Sequence, residues 1–240
     1  GVGDLLECEH VGFEYHRRPI FQDLSFTVEQ GSWSSIVGPS GIGKTTLLYL
    51  IAGFLKPTRG QILESGSPIV GPGVSRGVVL QDLALFPWLN VLGNVTFGLD
   101  MTHMPRDQKI ARAMANLALV GLADHAHDRI DQLSGGMRQR VALARTLAMG
   151  PRILLLDEAF SALDANTRSI LGVELRRIHE HQDLTTILIT HSIDEALAVS
   201  DRVIAINGDP AEIRGDLTVP RGEDRALLQS CHDTVLSWIA

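Results

Sequence analysis

The stretch GPSGIGKTT, Gly38 to Thr46, constrains this chain more than any other. It follows a short β-prone run, Ser34 to Val37, and leads into Lys44 to Ala52, whose apolar residues recur at helical spacing. Strand, glycine loop and helix in that order are the context of a phosphate-binding loop of the form G-x-x-x-x-G-K-[ST]. Gly38, Gly41 and Gly43 allow a tight turn with backbone N–H groups facing one anion, and Pro39, Ser40 and Ile42 complete the loop. The helix start behind it adds partial positive charge. In such a loop Lys44 reaches the β- and γ-phosphates, the Thr45 hydroxyl ligates Mg²⁺, and Thr46 adds a contact nearer the α-phosphate.

A loop of this kind requires a parallel sheet behind it, and the chain supplies one. Ile153 to Leu156, Thr185 to Ile189 and Arg202 to Ile206 are continuous apolar strands alternating with helical stretches at about 165–181 and 193–199. Leu5 to Tyr15, Phe21 to Val28, Gln61 to Glu64 and Gly77 to Leu80 read as further strands. From about residue 83 the pattern turns helical: a helix follows Pro105 and closes near Gly121, and another follows Gly136 and runs to about Met149. The expected division is one domain over 1–240: a core of about 1–82 and 151–221, a helical insert of about 83–150, and a C-terminal helix of about 222–239.

Composition narrows the class. With 45% hydrophobic residues the chain can bury a large core, yet no apolar run approaches the roughly 18 residues that cross a bilayer. The first ten residues lack the basic and apolar regions of a signal peptide. A net charge of −7 argues against a nucleic-acid partner. Cys8 and Cys231 are isolated, so reduced thiols are expected. The pairs His125/His127 and His179/His181 are two residues apart, which on a helix separates the rings, and no metal-ligand spacing is present.

ILLLDE, Ile153 to Glu158, gives the phosphate loop its acidic counterpart. Asp157 leaves the sheet at the C-terminal edge of its strand, where it can hold Mg²⁺, and Glu158 can orient or deprotonate an attacking water. A second glycine turn stands in QLSGGMRQRVALARTLA, Gln132 to Ala148, directly before a basic amphipathic helix. Its Arg138, Arg140 and Arg145 are expected on the solvent-facing or site-facing side of that helix.

The phosphate loop, LSGGM at 133–137, ILLLDE, SALD at 161–164 and TH at 190–191 occur together and in order. In this the chain resembles the nucleotide-binding subunit of an ABC transporter, from about residue 5 to the last helix. The resemblance implies an α/β fold: a P-loop NTPase core with a mostly parallel sheet, an N-terminal antiparallel β part and an inserted α-helical subdomain. It implies ATP and Mg²⁺ as ligands and a head-to-tail homodimer, in which Ser134, Gly135 and Gly136 of one copy cover the γ-phosphate held by the other. Tyr15 resembles the aromatic that stacks on adenine, with Phe13 as rival. Gln81 resembles the glutamine that senses Mg²⁺ and water, His191 the switch histidine at the γ-phosphate, and Asp164 the loop acid that acts across the dimer.

GPGVSRGVVLQDLALFPWLNVLGNVTFGL, 71–99, resembles the ATPases of the nitrate, sulfonate and taurine uptake branch, and the short C-terminal tail is similar to that branch too. This implies separate transmembrane permease subunits, an indirect partnership with a substrate-binding protein, and a peripheral place on the cytoplasmic face of the membrane. Leu85, Phe86, Trp88 and Leu89 are candidates either for a permease-docking groove or for the core. Ala159 stands where the family usually has proline, and Met137 where glutamine is commoner. Two alternatives stay open: a soluble ABC-type ATPase of DNA repair or translation, and a non-catalytic nucleotide-gated module.

Overall fold

The computed structural model describes residues 3–222 and 225–240. Strands β1 (Asp4–Tyr15) and β2 (Arg18–Glu29) form an antiparallel ribbon with Phe13 opposite Phe21 and Cys8 opposite Phe26. Along β2 the buried residues Leu24, Phe26 and Val28 alternate with less buried ones, so the ribbon has one inward face. Strand β3 (Trp33–Val37) runs into helix α1 (Lys44–Ala52). Strands β4 (Arg59–Glu64) and β5 (Ser67–Pro68) complete a four-stranded sheet in the order β2-β1-β4-β5.

After β6 (Arg76–Val79) come helices α2 (Val91–Thr96), α3 (Arg106–Leu119) and α4 (Gly135–Ala148). Then follow β7 (Ile153–Asp157), α5 (Ala165–His181), β8 (Thr185–Thr190), α6 (Ile193–Val199), β9 (Arg202–Asn207), β10 (Glu212–Thr218) and α7 (Arg225–Ile239). The second sheet has the order β10-β9-β3-β8-β7-β6; β9 through β6 are mutually parallel and β10 is antiparallel to β9.

Strand β7 explains why the apolar run ILLL is continuous. Ile153 and Leu155 face the cluster shared with α1 and the β1–β2 ribbon, beside Leu47, Leu48 and Ile51. Leu154 and Leu156 face the opposite cluster, built with the helices around Val95, Leu117, Val141 and Leu175. A strand buried on both faces has no polar side to offer. All four side chains are at most 1% exposed, so truncating one to alanine costs about 2–5 kcal/mol.

The fold agrees with the expected class: an N-terminal antiparallel part, a mostly parallel sheet and a group of helices between β6 and β7. Three local readings differ. Residues 83–90 are irregular, with helix beginning only at Val91 behind the Asn90 cap. The described part of the last helix is Arg225–Ile239; of its expected start at about 222, Gly222 lies in a bend, and 223–224 fall outside the described residues. Strand β10 adds to the expected elements; Gly215 interrupts its polar, half-buried sequence. That glycine is required by close approach: a Cβ there would stand 2.1 Å from the Trp238 ring of α7.

Strand order decides where the loops meet. In β3-β8-β7-β6 the neighbours are parallel, so their C-terminal ends share one edge. Residues 38–43, 191, 158 and 81 all follow these strands and converge there, as ligand-binding loops of open α/β sheets do.

Candidate functional site

The phosphate loop closes on α1 through Gly43, whose φ of 110° is open to glycine and strained for other residues. No side chain caps α1, so its first N–H groups face the loop's hollow unclaimed by any side chain. Lys44 is 5% exposed, and its ammonium donates to the carbonyls of Gly38 and Pro39, both at 2.8 Å. Burial lowers its pKa, while the carboxylates of Glu158 and Asp157 draw it back up. A phosphate there would give the ammonium a charged partner in place of neutral carbonyls. Ser40, Gly41, Gly43, Lys44, Thr45 and Thr46 line one pocket, which Gln81, Glu158 and His191 close from the far side.

Asp157, at the end of β7, is 3% exposed and accepts a 3.1 Å hydrogen bond from the Thr45 hydroxyl. Burial raises its pKa, the Thr45 bond opposes that, and negative Glu158 adds to it. Hydroxyl and carboxylate form an oxygen-only pair suited to a hard cation that keeps several waters and takes phosphate oxygens. Among the described residues no group of three or more His, Cys, Asp or Glu is placed to hold a metal ion by itself.

Glu158 has φ 49°, the left-handed region, which costs a non-glycine residue about 1–3 kcal/mol. The backbone around it holds this conformation. Its N–H donates to the Ile189 carbonyl at 2.9 Å, and its carbonyl accepts from Ser161 N at 3.1 Å and Oγ at 2.9 Å. The carboxylate lies 2.9 Å (Oε2) from Nδ1 of His191, whose side chain is 53% exposed against 12% for Glu158. An acid oriented by an imidazole at the mouth of a phosphate pocket can order and deprotonate a water. Ala159 leaves this arrangement in place: it is 4% exposed and packs with Phe160 in the core.

The other expected residues stand apart from this pocket. Tyr15 is 42% exposed with its ring edge-on to Phe13 at 4.8 Å, whereas Phe13 is 7% exposed and belongs to the core. Ser134 caps α4 by accepting from Met137 N at 3.3 Å, which leaves its hydroxyl proton free to donate. Ser134 and Gly135 are exposed, and Gly136 is buried. Asp164 caps α5, accepting from Thr167 N at 3.0 Å and Thr167 Oγ1 at 2.6 Å, and these bonds hold its carboxyl below the usual range.

The arginines of α4 are half-buried, off the core side of the helix, and each is tied to a partner. Arg138 Nε donates to the Ile130 carbonyl, and Arg140 pairs with Glu174 at 2.8 Å. Arg145 reaches the loop after Gln81, donating to the carbonyls of Leu83 at 2.6 Å and Ala84 at 2.7 Å. Its guanidinium stands over Phe86, 5.7 Å from the ring centroid. Asn94, fully buried, binds both N–H and C=O of Phe86 and the carbonyls of Leu89 and Asn90. Sequence reading missed both supports; the only signal was a polar side chain at an inward-facing position of α2. Of the four apolar candidates, Phe86 lines a groove with Phe54, Val74, Phe97 and Met149, and Leu85 packs on the core. Trp88 is 76% exposed.

A phosphate loop, a strand-end Asp-Glu pair and a facing histidine on adjacent parallel strands define a P-loop nucleotide hydrolase. The LSGG-capped helix on the same chain narrows the class, and comparison with known proteins agrees. The family described as ABC transporter matches residues 21–161. An uncharacterized ABC transporter ATP-binding protein of Methanocaldococcus jannaschii is 45% identical over 213 residues, 87% of this chain and 80% of the relative. The taurine import ATP-binding protein TauB of Pseudomonas entomophila is 43% identical over 228 residues, 94% of this chain and 88% of the relative. Among solved structures, CbiO1 of Clostridium perfringens, part of the ABC transporter complex CbiONQ, superposes with a TM-score of 0.83. It is 28% identical and covers 90% of this chain and 88% of its own. The chain belongs to the ABC transporter family, and it is an ATP-binding subunit that hydrolyses ATP. No helix among the described residues is long and apolar enough to cross a membrane.

Proposed function

We propose that this chain is the ATP-hydrolysing subunit of an importer that takes up a small anion, such as taurine, an alkanesulfonate or nitrate, through separate permease subunits. The observation that carries the importer reading is identity of 43% over nearly the whole chain to proteins named for taurine import. The 71–99 stretch supports the same branch. The apolar groove around Phe54, Phe86 and Phe97, held by Arg145, supports docking of a permease segment on the cytoplasmic face. A substrate-binding protein would meet the permease rather than this subunit. The chain acts as one ATPase domain whose helical insert shares a buried cluster with the sheet.

In this reading Gly38 to Thr46 hold the triphosphate through backbone N–H groups, and Lys44 exchanges its carbonyl partners for phosphate oxygens. Tyr15 stacks on the adenine. Thr45 and Asp157, with Gln81 nearby, would hold Mg²⁺, which supplies charge neutralisation at the phosphates. Glu158 takes a proton from the attacking water at Oε1 or Oε2, and His191 keeps that carboxylate oriented. Ser134, Gly135 and Gly136 cover the nucleotide of a second copy, and Asp164 acts across the same seam, so ATP joins two chains head to tail and hydrolysis releases them.

The test uses Glu158→Gln expressed with an affinity tag in the native host. With ATP and Mg²⁺ the trapped dimer should co-purify a multi-span permease, and cells carrying the variant should lose uptake of labelled taurine or nitrate. Recovery of only soluble dimer, with uptake intact, would overturn the importer reading.

A further inference from the structure

The chain reads S-I-D-E at Ser192–Glu195, the pattern of a capping box in which the glutamate would accept from the serine N–H. The geometry departs from that pattern. Ser192 does cap α6, accepting from Glu195 N at 3.2 Å, but its own N–H donates instead to the hydroxyl of Thr190 at 3.1 Å. That hydroxyl in turn donates to Glu195 Oε2 in a short contact. Thr190 is fully buried and Glu195 is 8% exposed. The closed ring Thr190–Glu195–Ser192 thus grips both residues flanking His191, and His191 is the imidazole 2.9 Å from Glu158.

We propose that Glu195 is a positioning residue for ATP hydrolysis: through the Thr190 hydroxyl it fixes the backbone on both sides of His191 and so sets the contact of His191 with Glu158. The inference rests on the roles given above to Glu158 and His191. A carboxyl in this place carries a cost that helix capping alone does not explain. Its Oε1 has no hydrogen-bond partner and is shielded from water, and Arg168, whose charge acts on it, donates to the Leu163 carbonyl. Burial raises the Glu195 pKa, opposed by the Thr190 bond, while negative Glu158 adds to the rise. Glutamine is the close mimic at this position: planar, of the same length, and with an amide oxygen able to accept from the Thr190 hydroxyl.

Four variants test this: Glu195→Leu, Glu195→Gln, Thr190→Val and His191→Ala, compared by kcat, KM for ATP and the imidazole ¹⁵N resonance of His191, which the His191→Ala spectrum identifies. Glu195→Leu and Thr190→Val should each lower kcat by about tenfold or more with KM within about twofold, and both should move the His191 resonance. Glu195→Gln should stay within about threefold of the parent kcat and keep the resonance in place. A purely capping role would lower melting temperature in all three without moving kcat. If Thr190→Val kept the parent kcat, or Glu195→Gln fell as far as Glu195→Leu, the proposal would be overturned. Should Glu195→Leu not fold, Thr190→Val and Glu195→Gln still decide it. His191→Ala at the parent rate would instead remove the reading of the site on which the proposal stands.

Discussion

The two glycine turns of this chain are built to opposite specifications. The turn at 38–46 is wired inward: Lys44 is buried, Thr45 is bonded to Asp157, and Gln81, Glu158 and His191 close over it from neighbouring strands. The turn at 134–136 faces outward, with Ser134 and Gly135 exposed and the serine hydroxyl committed only to capping its own helix. One turn has its chemistry supplied by the same chain, whereas Ser134, Gly135 and Gly136 are not among the residues lining its pocket and instead present a helix N-terminus. Under the proposed function the difference is a division of labour: the first turn holds a nucleotide, and the second finishes the site of another copy.

Three substitutions would break that division in different ways. Glu158→Gln should lower kcat by about 10³-fold while ATP binding persists, measured by phosphate release and equilibrium binding. ATP should then shift the variant to a dimer on size exclusion. Gly135→Asp should lower turnover by about 10²-fold through repulsion of the phosphates, with nucleotide affinity of the isolated chain unchanged. Lys44→Ala should do the reverse at the binding step, weakening ATP affinity by about tenfold or more as the phosphates lose a charged partner. If Gly135→Asp impaired ATP binding by the isolated chain as strongly as Lys44→Ala, the two turns would not be functionally separate.

The smallest expected effect concerns the scaffold. His179 is 2% exposed, with Nδ1 2.8 Å from the Thr186 hydroxyl and its ring 5.3 Å from the Trp33 ring. Burial lowers its pKa below 6.5, and nearby Arg176 adds to this. The unfolded chain therefore binds a proton that the folded chain refuses. Stability from this residue is complete above about pH 6.5 and declines as pH falls toward the folded value. Tm should therefore fall as pH drops from 7 to 5.5, and His179→Gln should flatten that slope. A Tm that rose on acidification, with the slope unchanged in His179→Gln, would contradict this.

Much of the first turn was legible in the sequence because its signals are local. A glycine loop, a lysine and a hydroxyl within nine residues need only the flanking strand and helix to be read. The apolar strands were equally plain, since burial on both faces leaves no polar alternation to confuse. What escaped was held by non-local polar contacts. Arg145 reads as a surface cation because its partners, the carbonyls of Leu83 and Ala84, lie 62 and 61 residues earlier. Strand β10 was hidden because Gly215 is explained only by Trp238 on a distant helix. The resemblance pointed to Tyr15 with Phe13 as rival, and of the two Phe13 is buried and Tyr15 is the exposed ring.

The central claim is that the two turns complete each other only between copies, and a mixing experiment addresses it directly. Chains carrying Lys44→Ala and chains carrying Gly135→Asp, both in a Glu158→Gln background, would be assayed for occluded ATP alone and together. Each alone should retain none. Mixed, they can form one intact site, with Lys44 from one chain and Gly135 from the other, so about one ATP per pair of chains should be retained. No gain on mixing would contradict the account, because both turns would then serve the same chain.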